Sequence, residues 1–130
     1  SITHYKGSTT NATATTIGTA GNSPDTIRSI TLPNNSAYGF TMTVVGAVGS
    51  GGNTSMWKLE GLIKRGANAA STAMVGDVVK NRIAYDIGSS NWDVAVTANT
   101  SGSLVVTVTG QASTTIRWIA NIETTEITYS

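Results

Sequence analysis

The chain has 130 residues, enough for one ordinary domain, and carries a formal net charge of +1 from eight basic and seven acidic residues. It contains no cysteine, which excludes disulfides, thiolate zinc sites and thiol catalysis. Charged residues make up 12% of the chain, against about a quarter in ordinary proteins, while 39% are hydrophobic. Thr, Ser, Asn and Gly fill the difference, a composition that describes a polar β-protein rather than a disordered chain.

A domain of this size buries roughly 68% of its unfolded surface, so a core can form without staples. The charges are scattered and make no basic stripe, so no nucleic-acid partner is expected. No apolar run approaches the ~20 residues of a membrane span and no signal region opens the chain, so no membrane insertion is expected. A start at Ser1 rather than Met fits a fragment excised from a longer protein.

Residues 1–23 carry isolated apolar positions and read as an extended N-terminal arm or linker, with one weak strand around Ala14–Ile17. Residues 24–130 read as the folded domain. From Thr26 the pattern alternates with period two, the mark of half-buried strands. Ile30 and Leu32 share a face before the turn at Pro33–Ser36. Tyr38, Phe40, Met42 and Val44 then alternate with Thr41, Thr43 and Val45, and the glycine-rich loop Gly49–Asn53 follows.

Trp57, Leu59, Gly61 and Ile63 alternate with Lys58, Glu60, Leu62 and Lys64, a strand with a polar outer face. A loop of small residues leads to a longer strand region from Met74 to Ile87. Trp92, Val94 and Val96 form the next strand. Asn99–Gly102 turns it into Leu104, Val106 and Val108, and Ile116, Trp118, Ala120 and Ile122 close the series. About seven or eight strands, no helical period and no internal repeat predict an all-β antiparallel sandwich, jelly-roll-like.

Catalytic chemistry is sparsely represented. His4, the single histidine, lies in the expected arm, and no G-x-S-x-G elbow is present. Paired carboxylates able to cleave a glycosidic bond would come from Glu60, Asp77, Asp86, Asp93, Glu123 and Glu126. Glu123 and Glu126 differ by an odd number and point to opposite faces of a strand. Glu60, near Lys58 and Lys64, fits cross-strand ion pairing on a solvated face.

Asp86, Asn91 and Asp93 would supply three oxygens to a cation, but a turn capped by Asn and Asp is the commoner meaning of that spacing. Gly46, Gly49, Gly51 and Gly52 are followed by no Lys-Ser/Thr pair and no helix, so they read as a hairpin and not a phosphate loop. Trp57, Trp92 and Trp118 fall in phase with the aliphatic residues of their strands, which favours core packing over sugar stacking. Tyr85, beside Arg82 and Asp86, is a weaker candidate for a binding surface. The sequons at Asn11, Asn34, Asn53 and Asn99 matter only in a eukaryotic secretory setting. No catalytic, metal or cofactor residue is assigned.

The segment Trp57-Lys58-Leu59-Glu60-Gly61-Leu62-Ile63-Lys64-Arg65-Gly66 resembles a W-x-(I/L)-x-G-x-(I/L)-x-R word found near the C-terminus of many bacteriophage tail-fibre and tailspike proteins. Ala73–Gly76, Trp92–Asn99, Leu104–Gly110, Ile116–Ala120 and Glu126 continue the resemblance in order, from about Thr26 to Ile127. Asn99 departs from the Asp-Thr often found after Ala in that family.

The resemblance implies a β-rich, homotrimeric domain of the virion, working outside the cell. Its expected role is non-enzymatic attachment to a glycan or protein of the bacterial surface, and it carries over no ligand-binding residue. Two alternatives stand beside it: a trimerisation or folding cap of a fibre, and a monomeric carbohydrate-binding module of a secreted bacterial enzyme. Ligand contacts are expected in the loops 49–55, 66–72, 88–91 and 99–103, because recognition usually sits on loops held by a rigid scaffold. Alternate loops of a sandwich lie at opposite ends, so the four cannot share one site.

Overall fold

The longest alternating runs fold as two twelve-residue strands, β5 (Ser36–Ala47) and β6 (Thr54–Arg65), paired antiparallel from Ser36↔Arg65 to Ala47↔Thr54. Ser50 and Gly51, with φ of 60° and 71°, make the tight turn between them. On the other side of β5 lies the thirteen-residue β11 (Ile116–Thr128), in register from Arg117↔Ala47 to Thr128↔Ser36. These three strands are the frame on which everything else hangs.

The computed structural model describes residues 1–22 and 29–129. Its remaining strands are β1 (Ile2–Thr9), β2 (Thr15–Gly18), β3 (Gly21–Asn22), β4 (Ile30–Thr31), β7 (Ala73–Met74), β8 (Val79–Tyr85), β9 (Asp93–Ala98) and β10 (Ser103–Thr109). The main path through the single sheet runs β10-β2-β1-β11-β5-β6. β9 pairs on the far side of β10, β8 and β7 on the far side of β6, and every pairing is antiparallel.

The sheet curls until its outer strands approach each other through side chains. Lys80 Nζ on β8 donates to Asp93 Oδ1 at 2.8 Å and to the Val94 carbonyl at 3.0 Å on β9. Inside the curl, Trp118 lies 5.8 Å from Trp57 and 5.7 Å from Trp92, centroid to centroid. All three indoles are buried, so the in-phase tryptophans are core and offer no exposed platform. Tyr38, Phe40, Met42, Val44, Leu59, Ile63, Val94, Leu104, Val106, Ile116 and Ile122 pack with them, each at its alternating position.

The antiparallel all-β class therefore holds, with eleven strands instead of seven or eight. β3 and β7 are two-residue pieces, too short to leave a period, and β1 comes from the segment expected to be an arm. β1 instead pairs with β11 along its whole length, from Ile2↔Glu123 to Thr9↔Ile116. Tyr5 and Ile17 are both fully buried, and the Tyr5 hydroxyl donates to the Leu104 carbonyl at 2.8 Å.

The reason lies in the small inward residues of β1. A Cβ on Gly7 would stand 2.5 Å from Ile17 Cγ2, and Thr9 Oγ1 accepts the Trp118 indole N–H at 3.0 Å. Only Tyr5 shows as a large apolar residue, so the alternation is hidden. The expected boundary between 23 and 24 and the start of alternation at Thr26 lie outside the described residues.

The expected strand from Met74 to Ile87 is also divided. Gly76, at φ 69°, turns the chain between β7 and β8, and a 3-10 turn at Ile87–Ser89 ends the region. Along β8 only Arg82 is partly buried, the rest being exposed.

Candidate functional site

The outer face of β1, β11, β5 and β6 is a broad regular surface, and the register fixes its pattern. Outward positions on β5 are small: Ala37, Gly39, Thr41, Thr43, Val45 and Ala47. Beside them β6 presents Leu62, Glu60, Lys58 and Met56, and β11 presents Thr125, Glu123, Asn121 and Ile119. A shallow trough thus runs along β5, about 34 Å from Ala37 to Ala47 at ~3.4 Å per residue.

Two adjoining depressions of about 320 and 360 Å³ lie along it, and both are lined by Thr41, Glu60 and Glu123. Glu60 and Glu123 flank Thr41 in one cross-strand row, so their Cα atoms stand two strand spacings apart, about 9–10 Å. The next row sets Lys58, Thr43, Asn121 and His4 side by side. Carboxylates, an ammonium, an amide and hydroxyls therefore line one open strip. It suits multiple hydrogen bonds to an extended polar chain, and it lacks the walls that would desolvate a general acid.

None of the other described carboxylates lines these depressions. Asp86 Oδ2 accepts the Thr54 amide at 2.9 Å and ties the end of β8 to the start of β6. Asp93 forms the salt bridge with Lys80. Burial raises the Asp93 pKa, but the Lys80 ammonium, the Val94 amide and the Arg82 charge outweigh it and hold the carboxyl below its ordinary 3.8. Glu126 lies opposite Tyr38 while Glu123 lies opposite Thr41, so these two do take opposite faces.

Burial, and then the charge and hydrogen bond of Glu126, raise the Tyr38 pKa above 10.0. Among the described residues Glu60 makes no ion pair, its cross-strand neighbours being Thr41 and Val79. Lys58 and Lys64 lie along its own strand. Asp77 follows β7 and lines neither depression. Among the described residues no three His, Asp or Glu side chains are grouped to hold a metal ion. His4 lies on the outer face opposite Asn121, with no acid-base partner beside it in its row.

The loops divide between two ends. Loop 49–55 meets the 88–91 region, since a Cβ on Gly88 would fall 2.3 Å from Asn53 Nδ2 and the Asp86 amide bonds the Thr54 carbonyl. At the other end, Arg65 reaches Gly102 and bonds the Leu32 carbonyl and Asn34 Oδ1, which brings 66–72 near 99–103. Tyr85 is half exposed, and the Arg82 guanidinium stacks on its ring at 4.0 Å and on Trp57 at 4.9 Å. Arg82 also donates to Ser55 Oγ and to the Ser89 and Ser90 carbonyls. It works as a structural clamp.

No family model matches the chain, and no curated protein does. Among solved structures, the chain is similar to the tailspike protein of Acinetobacter phage vB_ApiP_P1, with a TM-score of 0.43 and 16% identity over 95% of this chain and 21% of that one. It is also similar to tailspike protein gp49 of Acinetobacter baumannii bacteriophage Fri1, described as a capsular polysaccharide depolymerase. That likeness has a TM-score of 0.42 and 12% identity over 97% of this chain and 18% of that one. The chain spans about a fifth of the length of either tailspike.

Proposed function

We propose that this chain is an attachment domain of a phage tail fibre or tailspike, acting as a homotrimer in the virion and gripping a glycan or protein of the bacterial surface without cleaving it. What supports the reading is the ordered set of segments that resembles such domains. Trp57–Gly66, Trp92–Asn99, Leu104–Gly110 and Ile116–Ala120 meet in one core, and the residues that define the first of them have fold-level tasks. Trp57 packs on Trp118, Gly61 makes room for the Phe40 ring 2.7 Å from its missing Cβ, and Arg65 bonds the Leu32 carbonyl.

The trough over Thr41 supports binding of an extended polar chain. Val75 just after β7, Val79 and Ile83 on β8 and the 89%-exposed Ile87 in the following turn are exposed apolar side chains, of the kind that other copies of a chain cover. A monomeric sugar-binding module would present a tryptophan platform, and all three tryptophans are buried.

Light scattering at a few micromolar tests the assembly, with a mass near three times 13.4 kDa expected. Pull-down on host cells, together with a reducing-end assay on their surface polysaccharide, tests the function. Binding without release of reducing ends supports attachment. A trimer that binds no host cell supports a folding cap instead, and a monomer or sustained sugar release overturns the proposal.

A further inference from the structure

Beside the trough, β1, β11 and the β2–β3 turn line an open pocket of about 420 Å³. Its charges follow from the register. Ser8 lies opposite Arg117 and Lys6 opposite Ile119, so Lys6 and Arg117 are diagonal neighbours on the outer face, roughly 7–8 Å apart at Cα. Two cations so placed repel each other, and among the described residues the nearby sheet supplies no counter-charge. The nearest outward carboxylate on these strands is Glu123, six residues from Arg117 along β11 and about 20 Å away. Neither side chain has a hydrogen bond or ion pair with another described residue.

The rim of the pocket is set by backbone-bound groups. Asn22 Oδ1 accepts the Ser8 amide at 3.0 Å and Asn22 Nδ2 donates to the Ser8 carbonyl at 2.6 Å. The side chain thus stands in for a strand where β2 pairs with β1 only at Lys6↔Gly18. Gly7 carries no Cβ because one would lie 2.2 Å from Asn22 Oδ1. Gly21, at φ 105°, has open space where its Cβ would be, which keeps the mouth clear. Ile119 is half exposed beside Lys6 and adds an apolar patch to the floor.

We propose that this pocket is a subsite for a carboxylate-bearing sugar residue of an acidic surface glycan. The inference rests on the attachment reading above. Arg117 offers its planar fork to the carboxylate, Lys6 adds a second positive charge, and Ile119 meets the C–H face of the ring. A bare inorganic anion would use the two cations but not the apolar floor.

The test is an NMR titration of the whole chain with oligoglucuronate, its carboxyl-reduced counterpart, and sodium sulfate. Shifts at Lys6, Ser8, Gly21, Asn22 and Arg117 are expected with oligoglucuronate and absent with the reduced form. Arg117→Gln and Lys6→Gln each weaken binding at least tenfold with unchanged backbone spectra elsewhere, and Arg117→Lys recovers only part of the loss. Equal shifts with sulfate alone mean an adventitious ion only and overturn the proposal. So does the absence of shifts at this pocket. Host-cell binding that survives both Gln variants refutes the subsite and leaves attachment standing, whereas a wild-type chain that binds no host cell refutes attachment itself.

Discussion

Gly46 offers a direct way to separate core from ligand roles for the tryptophans. It faces Trp118 across the β5–β11 ladder, and a Cβ added there would stand 2.6 Å from Cζ3 and 2.7 Å from Cε3 of that ring. Carbon atoms rest at about 3.5–4.0 Å, so something must move by roughly 1 Å. Trp118 has little freedom to do so, being fully buried between two indoles and tied to Thr9 through its N–H.

Overpacking of this kind costs about 1–3 kcal/mol, and the gain from replacing Gly by Ala in a strand returns roughly 0.5–1 kcal/mol. Gly46→Ala is thus expected to destabilise by about 1–2 kcal/mol. Trp118→Leu removes the obstructing ring and costs about 2–4 kcal/mol through the cavity it leaves. In that background Gly46→Ala is expected to become neutral or mildly stabilising, a coupling of about 2 kcal/mol. Urea unfolding followed by far-UV circular dichroism, at fixed protein concentration, measures all four corners of the cycle. Strict additivity within about 0.5 kcal/mol would refute the packing argument.

Two further predictions concern polar groups. Tyr5→Phe keeps the ring but removes the hydroxyl that donates to the Leu104 carbonyl and accepts the Ile30 amide, so a loss of about 1–3 kcal/mol is expected in urea unfolding at pH 8. Burial, partly countered by the Ile30 amide and Ser29, raises the Tyr5 pKa above 10.0. Its stabilisation is therefore full below pH 10 and lost as pH rises through the folded value, and the variant's urea midpoint should fall less steeply above pH 10. Asp93 is the opposite case, with a folded pKa below 3.8 despite some burial. Its contribution is present above about pH 4 and lost as pH falls through the folded value, so Asp93→Asn should flatten the acid limb. At neutral pH the solvent-screened pair with Lys80 is expected to contribute under about 1 kcal/mol. A variant with the wild-type acid limb would remove Asp93 from that role.

The strands legible in the sequence are those with several large inward residues in phase. β5, β6, β10 and the first half of β11 qualify, with Phe40, Leu59, Val106 and Trp118 in phase. β1 failed to register because Gly7 and Thr9 occupy inward positions that neighbouring side chains require to be small. β8 raised the opposite problem, since its apolar Val79, Ile83 and Tyr85 suggested a core strand but are exposed. The trough was hidden for a third reason. Thr41, Glu60 and Glu123 are distant in sequence, and only register places them in one row. A helpful signal was present in the run of small outward residues on β5 between two strands with long ones. The acidic pair could not be recognised from spacing along either strand.

The division between inward and outward positions also explains what the family-like words can carry. Trp57, Leu59, Gly61 and Ile63 alternate inward, and each is fixed by packing that any chain with this curl must satisfy. The intervening Lys58, Glu60, Leu62 and Lys64 meet solvent and are free to vary with whatever the surface touches. A word built on the inward set therefore transmits architecture and leaves specificity unspecified. On the attachment proposal, recognition is read from the complementary half of each strand, where Lys6, Arg117 and the Glu60–Thr41–Glu123 row lie. Exchanging those outward residues should redirect binding while leaving the indole cluster, and the stability it confers, in place.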